Sequence, residues 1–313
     1  MKKTKAQFSE AKWEFHKALK HFVDSLKESI STENGEWTVK GFIDVYKNIY
    51  TLNSDTKIIS KILEIHLFPD ILSFAERIGY SIVLAEQQNW YPDLSFVNLK
   101  NPDIKFAVDL KTTYRDPEYP GHVNGFTLGS HGEYFRNRTS GKNIQFPYAQ
   151  YAGHFCLGII YTRLKDKSVG ETKTYQVQEL GEYESGKQKV SLPVTAISSL
   201  RSIASIVKDF QFFVCEKWQL ASDRQGSGNT ANIGSITCIE DILKGHGVFS
   251  KLGEAVFDEY WMNYGVTTML RDGKDIPIRK LEDFLEFKGI DKSKKVPQKS
   301  KKKIKEASQP CEP

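Results

Sequence analysis

Asp93 and Asp109 stand sixteen residues apart, and Lys111 follows the second by two. Between the acids, Asn101-Pro102-Asp103 is a strong turn signal. Leu94-Ser95-Phe96-Val97 before it and Phe106-Ala107-Val108 after it are short β-prone runs. The pattern predicts a hairpin. Side chains alternate along a strand, so Phe106, Val108 and Leu110 take one face while Ala107, Asp109 and Lys111 take the other. Strand pairing can then bring Asp93 beside Asp109. Two carboxylates and an ammonium converging at one place form a site for a hard divalent cation, with a charge-stabilising or proton-handling neighbour. The bland alternative is a pair of surface acids bridged to Lys105 or Lys111, and only context separates the two.

Three other groups carry possible chemistry. Glu64 lies among apolar neighbours in a helical run and reads either as a boundary glutamate or as a third carboxylate. Gly226-Ser227-Gly228-Asn229-Thr230-Ala231-Asn232 is either a flexible loop or a base reader: glycine lets backbone approach closely, and asparagine can pair bidentately with adenine. Arg136, Arg138 and Lys142 form a basic cluster suited to solvent or to phosphate. Gly181 to Gln188 nearly spells a P-loop. Gln188 replaces the hydroxyl residue that would meet Mg²⁺, and Glu182 and Glu184 would repel phosphates, so that reading is rejected.

The elements that must position these groups follow from periodicity. Residues 6–30 are predicted helical on the spacing of Phe8, Trp13, Phe15, Leu19, Phe22, Val23, Leu26 and Ile30. Trp37 to Leu52 reads as two strands. Asn53-Ser54-Asp55-Thr56 starts a helix over 57–79, with Ile58, Ile62, Ile65 and Leu72 as its apolar stripe and Pro69 as a break or kink. Tyr80 to Ala85 is a strand, 112–125 a loop, and Phe126 to Gly129 another strand. Tyr151 to Tyr161 is an apolar central strand in which His154 is a core histidine. Val194 to Phe213 reads as helix then strand, 225–235 as loop, and 241–287 as mostly helical.

The 313 residues suit one large domain or two small ones. No apolar run approaches a membrane span, and the N-terminus has no hydrophobic leader. The scattered cysteines Cys156, Cys215, Cys238 and Cys311 form no metal or disulfide pattern, which points to a cytoplasmic setting. Residues 291–313 hold eight lysines against three acids, which accounts for the whole net charge of +5. Basicity is therefore no evidence that the remaining body binds nucleic acid.

Ordered segments then resemble the type II restriction endonucleases of the PD-(D/E)xK nuclease superfamily. They are Asn53 to Lys57 leading into Leu63-Glu64, Glu86 to Asp93, Ala107 to Tyr114, Phe126 to Gly129, Lys142 to Ile144, Ile160 to Arg163 and Gly226 to Ser235. The resemblance runs from about residue 35 to residue 287. It implies an α/β fold with a mixed central β-sheet flanked by helices. It also implies Mg²⁺ (with Mn²⁺ as substitute) on Asp93 and Asp109, Glu64 as auxiliary carboxylate, and Lys111 positioning the attacking water. Gln87, Gln88 and Asn89 would work in the minor groove of double-stranded DNA. Gly226, Ser227, Gly228, Asn229 and Thr230 would read the major groove, while Thr56, Lys57, Lys142 and Asn232 would meet phosphates or buttress the loops. The implied target is GATATC, cut at its centre to blunt ends by a homodimer, with a partner DNA methyltransferase expected genetically.

The division this implies is an N-terminal helical extension over 1–34, dimerisation strands over 35–55, a catalytic and recognition core over 56–290, and a disordered lysine-rich tail over 291–313. About twenty residues near 193–212 look inserted. A repair or junction-resolving PD-(D/E)xK nuclease, or a DNA-binding protein with an inactive cleavage site, are the alternatives to restriction.

Overall fold

The computed structural model describes residues 5–164, 174–177, 194–195, 197–226 and 231–301. In chain order its elements are α1 (Lys5–Ile30), β1 (Gly41–Ile43), β2 (Asn48–Thr51), α2 (Thr56–Arg77), β3 (Tyr80–Leu84), β4 (Leu94–Asn98), β5 (Lys105–Tyr114), β6 (Thr127–Ser130), α3 (Glu133–Arg136), β7 (Tyr151–Arg163), β8 (Thr174–Val177), β9 (Val194–Thr195), β10 (Val207–Glu216), α4 (Lys217–Leu220), β11 (Ala221–Gln225), β12 (Asn232–Ser235), α5 (Ile239–Lys244), α6 (Glu254–Asn263), β13 (Thr268–Arg271), β14 (Lys274–Pro277) and α7 (Leu281–Phe287). The chain divides into two compact units. One comprises residues 1–23, 71–160 and 212–313, the other residues 24–70 and 161–211.

The main sheet has the order β10-β7-β5-β4-β3. The predicted hairpin is there: β4 and β5 are antiparallel, with Leu94 opposite Val108 and Phe96 opposite Phe106. Asn98 closes the turn through its side chain, which accepts from the amides of Lys100 and Asn101. Both faces of β5 are covered from Phe106 to Leu110. Phe106 stacks on Phe15 of α1 with ring centroids 4.2 Å apart. On the opposite face Ala107 belongs to an apolar cluster with Tyr91, Leu128, Cys156 and Phe213. A smaller sheet, β11-β12-β6, is antiparallel throughout and carries the glycine-rich loop at the end of the β11–β12 hairpin.

Several expectations are corrected. Helix α1 is integral to the core: Phe15, Leu19 and Phe22 are buried, and Lys12 pairs with Glu216 and Glu254. Helix α2 runs unbroken through Pro69, where loss of one amide donor is carried by the rest of a long helix. Of the expected stripe Ile62 is buried, with Ile59, Leu63, Leu67, Ile71 and Phe74, whereas Ile58, Ile65 and Leu72 are exposed. The region after Asp241 contains a hairpin, β13–β14, turned at Asp272-Gly273 with φ of 51° and 74°. That Asp-Gly pair is a strong hairpin signal that aromatic content obscured.

In place of a solvated tail, residues 291–301 are held to the body. Lys295 meets Asp223 and Glu282, Lys299 meets Glu240 and Asp241, Lys301 meets Asp116, and the Val296 amide donates to the Val248 carbonyl. Residues 302–313 lie outside the described residues, as do those of the rejected P-loop. The unit of residues 24–70 and 161–211 includes β1 pairing β2, β2 pairing β8 and a parallel β8–β9 pair, and the expected helix after Val194 is a single 3₁₀ segment, Ile197–Ser202. No described helix is long and apolar enough to cross a membrane.

Candidate active site

Asp93 stands just before β4 and Asp109 in the middle of β5, so the hairpin register sets them side by side. The Leu110 amide donates to Asp93 Oδ2 at 2.8 Å, and the Asp93 amide donates to Asp109 Oδ1 at 3.3 Å. Asp109 Oδ2 meets Lys111 Nζ at 2.8 Å. Asp109 is 5% exposed, and a carboxylate so buried keeps its charge only with partners. Burial works against the Lys111 charge, but Asp109 and then Asp93 outweigh it and hold the ammonium well above the ordinary lysine range.

These three residues form one wall of an open cleft of about 490 Å³. Gln88, Asn89, Trp90 and Tyr91 line it from the loop ahead of β4, Gly129 and Ser130 from β6, Glu133 and Tyr134 from α3, and Asn143 and Asn232 complete it. Gln87 belongs to the same exposed turn, its carbonyl accepting from the Trp90 amide at 3.0 Å. Tyr91 exchanges backbone hydrogen bonds with Asn143 and Gln145. That fixes the segment carrying exposed Lys142 at the cleft.

The glycine-rich hairpin is tied to the same place. Asn232 pairs with Ser130 across β12 and β6, the Gly226 amide donates to the Asn232 carbonyl at 2.9 Å, and the His131 amide to the Ala231 carbonyl at 2.8 Å. Gly234 makes the close approach possible: a Cβ there would sit 2.7 Å from the Arg224 carbonyl oxygen. Ser227, Gly228, Asn229 and Thr230 lie outside the described residues.

The second unit holds Thr56, Lys57 and Glu64. Asp55 caps α2 by accepting from the amides of Lys57 and Ile58, and Glu64 is half-buried and paired with Lys61 at 2.7 Å. Among the described residues no three His, Cys, Asp or Glu side chains gather as a closed metal cage. Two carboxylates on an open wall still suit a hard cation, which is commonly held by one or two carboxylates together with substrate phosphate and water.

Arg138, read from sequence as a phosphate candidate, serves the fold. It bridges to Asp258 at 2.9 Å and lies over the Phe135 and Tyr148 rings. Glu133, Ser130 and Tyr134 carried no sequence signal, because a strand end and a short helix distant from the hairpin in sequence bring them in. Beneath the cleft Tyr91 stacks on Tyr134 and bonds His154 Nδ1 through its hydroxyl at 2.9 Å, which keeps His154 a core residue as read. Lys217, at the start of α4, was also missed. It is buried in this aromatic layer, and burial pushes its pKa down to about 8.

A sequence profile described as "Restriction endonuclease EcoRV" matches residues 33–196 and 183–289 of this chain. The chain belongs to the EcoRV restriction endonuclease family. It is also 37% identical over 250 residues to the type II restriction enzyme EcoRV of Escherichia coli, an alignment covering 80% of this chain and 91% of that protein. It is accordingly a type II site-specific deoxyribonuclease acting on DNA, in a family dependent on divalent metal ions. All of α1 and the lysine-rich segment beyond residue 289 fall outside the profile match.

Proposed function

We propose that the chain cuts double-stranded DNA at GATATC, at the centre and leaving blunt ends, with Mg²⁺ as its ion and Mn²⁺ as a substitute. The observation that carries this reading is that Gln88 and Asn89 ahead of β4 and Asn232 at the start of β12 line the same cleft as Asp93, Asp109 and Lys111. Asp93 and Asp109 hold the cation, with Glu64 as auxiliary carboxylate. Such an ion supplies Lewis-acid charge at the phosphate. Lys111 orients the attacking water and offsets charge gathering on the phosphate oxygens. Gln87, Gln88 and Asn89 meet the minor groove, and Gly226, Ser227, Gly228, Asn229 and Thr230 the major groove. Thr56, Lys57, Lys142 and Asn232 meet backbone phosphates or brace these loops.

A palindromic target calls for a two-fold homodimer with one cleft per strand. Exposed apolar side chains in the unit of residues 24–70 and 161–211 support it: Phe42 and Ile43 on β1, Val45 and Tyr46 in the turn, and Ile58 and Ile65 on α2. A methyltransferase of the same specificity completes the system in the cell. Digesting plasmid DNA of known sequence and sequencing the ends tests the reading. Blunt ends within GATATC are expected. Ends at another fixed sequence overturn the target, and structure-dependent nicks overturn restriction in favour of a repair nuclease.

A further inference from the structure

Lys217 is 2% exposed, and among the described residues its Nζ has no hydrogen-bond partner. An ammonium taken out of water without a partner is among the costliest groups a fold can hold. Lys12 shows the ordinary solution, pairing with Glu216 and Glu254. Lys217 is surrounded by ring faces, with Nζ 4.7 Å from the Tyr91 centroid, 5.2 Å from Phe135 and 5.6 Å from Tyr148. Cation–π contact retains the charge without neutralising it. Asp109 is foremost among the carboxylates that favour its charged form.

What separates this charge from the cleft is thin. Gly129 lines the cleft with φ of 83°, and a Cβ there would come within 3.6 Å of Lys217 Nζ, 3.6 Å of Tyr91 Cδ2 and 3.1 Å of the Tyr134 hydroxyl. Tyr91 and Tyr134 line the cleft as well. The side-chain-free position thus lies between the ammonium and the cleft, in a low-dielectric layer where charge is poorly screened.

Resting on the reading of this cleft as the cutting centre, we infer that Lys217 is a positioning residue of the cleavage reaction. Its unneutralised charge acts across the Gly129 backbone on the cleft and steadies negative charge building on the scissile phosphate. It touches neither water nor DNA. The same charge opposes cation binding at Asp93 and Asp109, so removing it shifts binding and chemistry in opposite directions. A packing role would not produce that split.

The test compares wild type, Lys217→Met and Lys217→Gln in the full chain. Measurements are melting temperature, metal-free DNA affinity, Mn²⁺ affinity by calorimetry, and single-turnover cleavage of plasmid DNA. The neutral variants are expected to stay folded with DNA affinity within about two-fold of wild type, bind Mn²⁺ several-fold more tightly, and cleave about ten-fold or more slowly at saturating metal. Cleavage within two-fold of wild type, slower cleavage without tighter Mn²⁺ binding, or unfolding of both variants overturns the inference. A wild-type chain that cuts no DNA overturns instead the reading of the cleft on which it rests.

Discussion

Asp93 and Asp109 each accept a backbone amide from the other's neighbourhood: Leu110 N–H on Asp93 Oδ2, and Asp93 N–H on Asp109 Oδ1. The two acids are therefore fixed by main chain as well as by rotamer, and each retains a bond if only its charge is removed. Asp93→Asn and Asp109→Asn keep an amide oxygen in place of the accepting carboxylate oxygen. Both are expected to melt within a few degrees of wild type and to show no cleavage with Mg²⁺ or Mn²⁺. Robust cutting by either would refute the assignment of that acid to the metal site.

His131 makes stability depend on pH. It is 3% exposed, its Nε2 meets Gln225 Nε2 at 2.9 Å, and its ring lies against Trp261 and Tyr264. Burial, and then the Arg136 charge, lower its pKa from 6.5 to about 4. The unfolded chain binds this proton more readily than the folded one, so the stabilisation is full above pH 6.5 and is lost as pH falls toward 4. The loss is on the order of 2–3 kcal/mol from this residue, and His154, held well below its ordinary value by burial, acts in the same direction. Melting scans from pH 7 to pH 4 should fall steadily, and His131→Gln should flatten part of that slope. A variant whose slope equals that of wild type removes His131 from the account.

Lys142 is exposed beside the cleft on a segment pinned by the Tyr91 backbone bonds. A phosphate contact there carries no sequence information. Lys142→Ala should weaken specific and non-specific DNA to a similar degree and lower the log–log salt slope by about 1. Selective loss of the specific complex would assign the residue to base reading instead.

The Asp93–Lys111 hairpin was legible because every part of it is local: a turn, two short strands, and acids whose facing follows from the two-residue period. Its burial was not, since coverage of the Asp109 face comes from β6, β7 and β10, distant in sequence. The stripe on α2 misread for a related reason. Apolar residues stand on two sides of that helix, and periodicity alone does not say whether Ile58 and Ile65 or Ile59 and Leu63 face the core. Lys217 left no trace, because a lysine beside a tryptophan reads as surface until aromatic residues from three separate segments close around it.

Residues 291–301, read from charge composition as part of a solvated tail, make a stability prediction. Lys295 meets Asp223 and Glu282, each at 2.5 Å, and its side chain is only 19% exposed. Asp223 is the more buried partner, and its backbone carbonyl also accepts from the Tyr260 hydroxyl. Lys295→Ala leaves that carboxylate without this cation and should cost roughly 1–2 kcal/mol. Urea titration against wild type reads the loss, and an unchanged midpoint would show that residues 291–301 contribute nothing to the fold.

The β11–β12 hairpin allows specificity to be separated from stability. Gly234 abuts the Arg224 carbonyl oxygen so closely that a methyl group cannot be placed there without moving one strand. Gly234→Ala should therefore destabilise the protein by roughly 1–3 kcal/mol and degrade cleavage at every sequence together, since β12 also pairs with the β6 segment that lines the cleft. Asn229 lies in sequence between β11 and β12, and its proposed role is to read a base edge. Asn229→Ala should melt with wild type yet lose roughly 1–3 kcal/mol of discrimination between GATATC and sites differing by one base pair. Competition cleavage of paired oligonucleotides measures that difference. Equal discrimination in Asn229→Ala and wild type would take the base-reading role away from this asparagine.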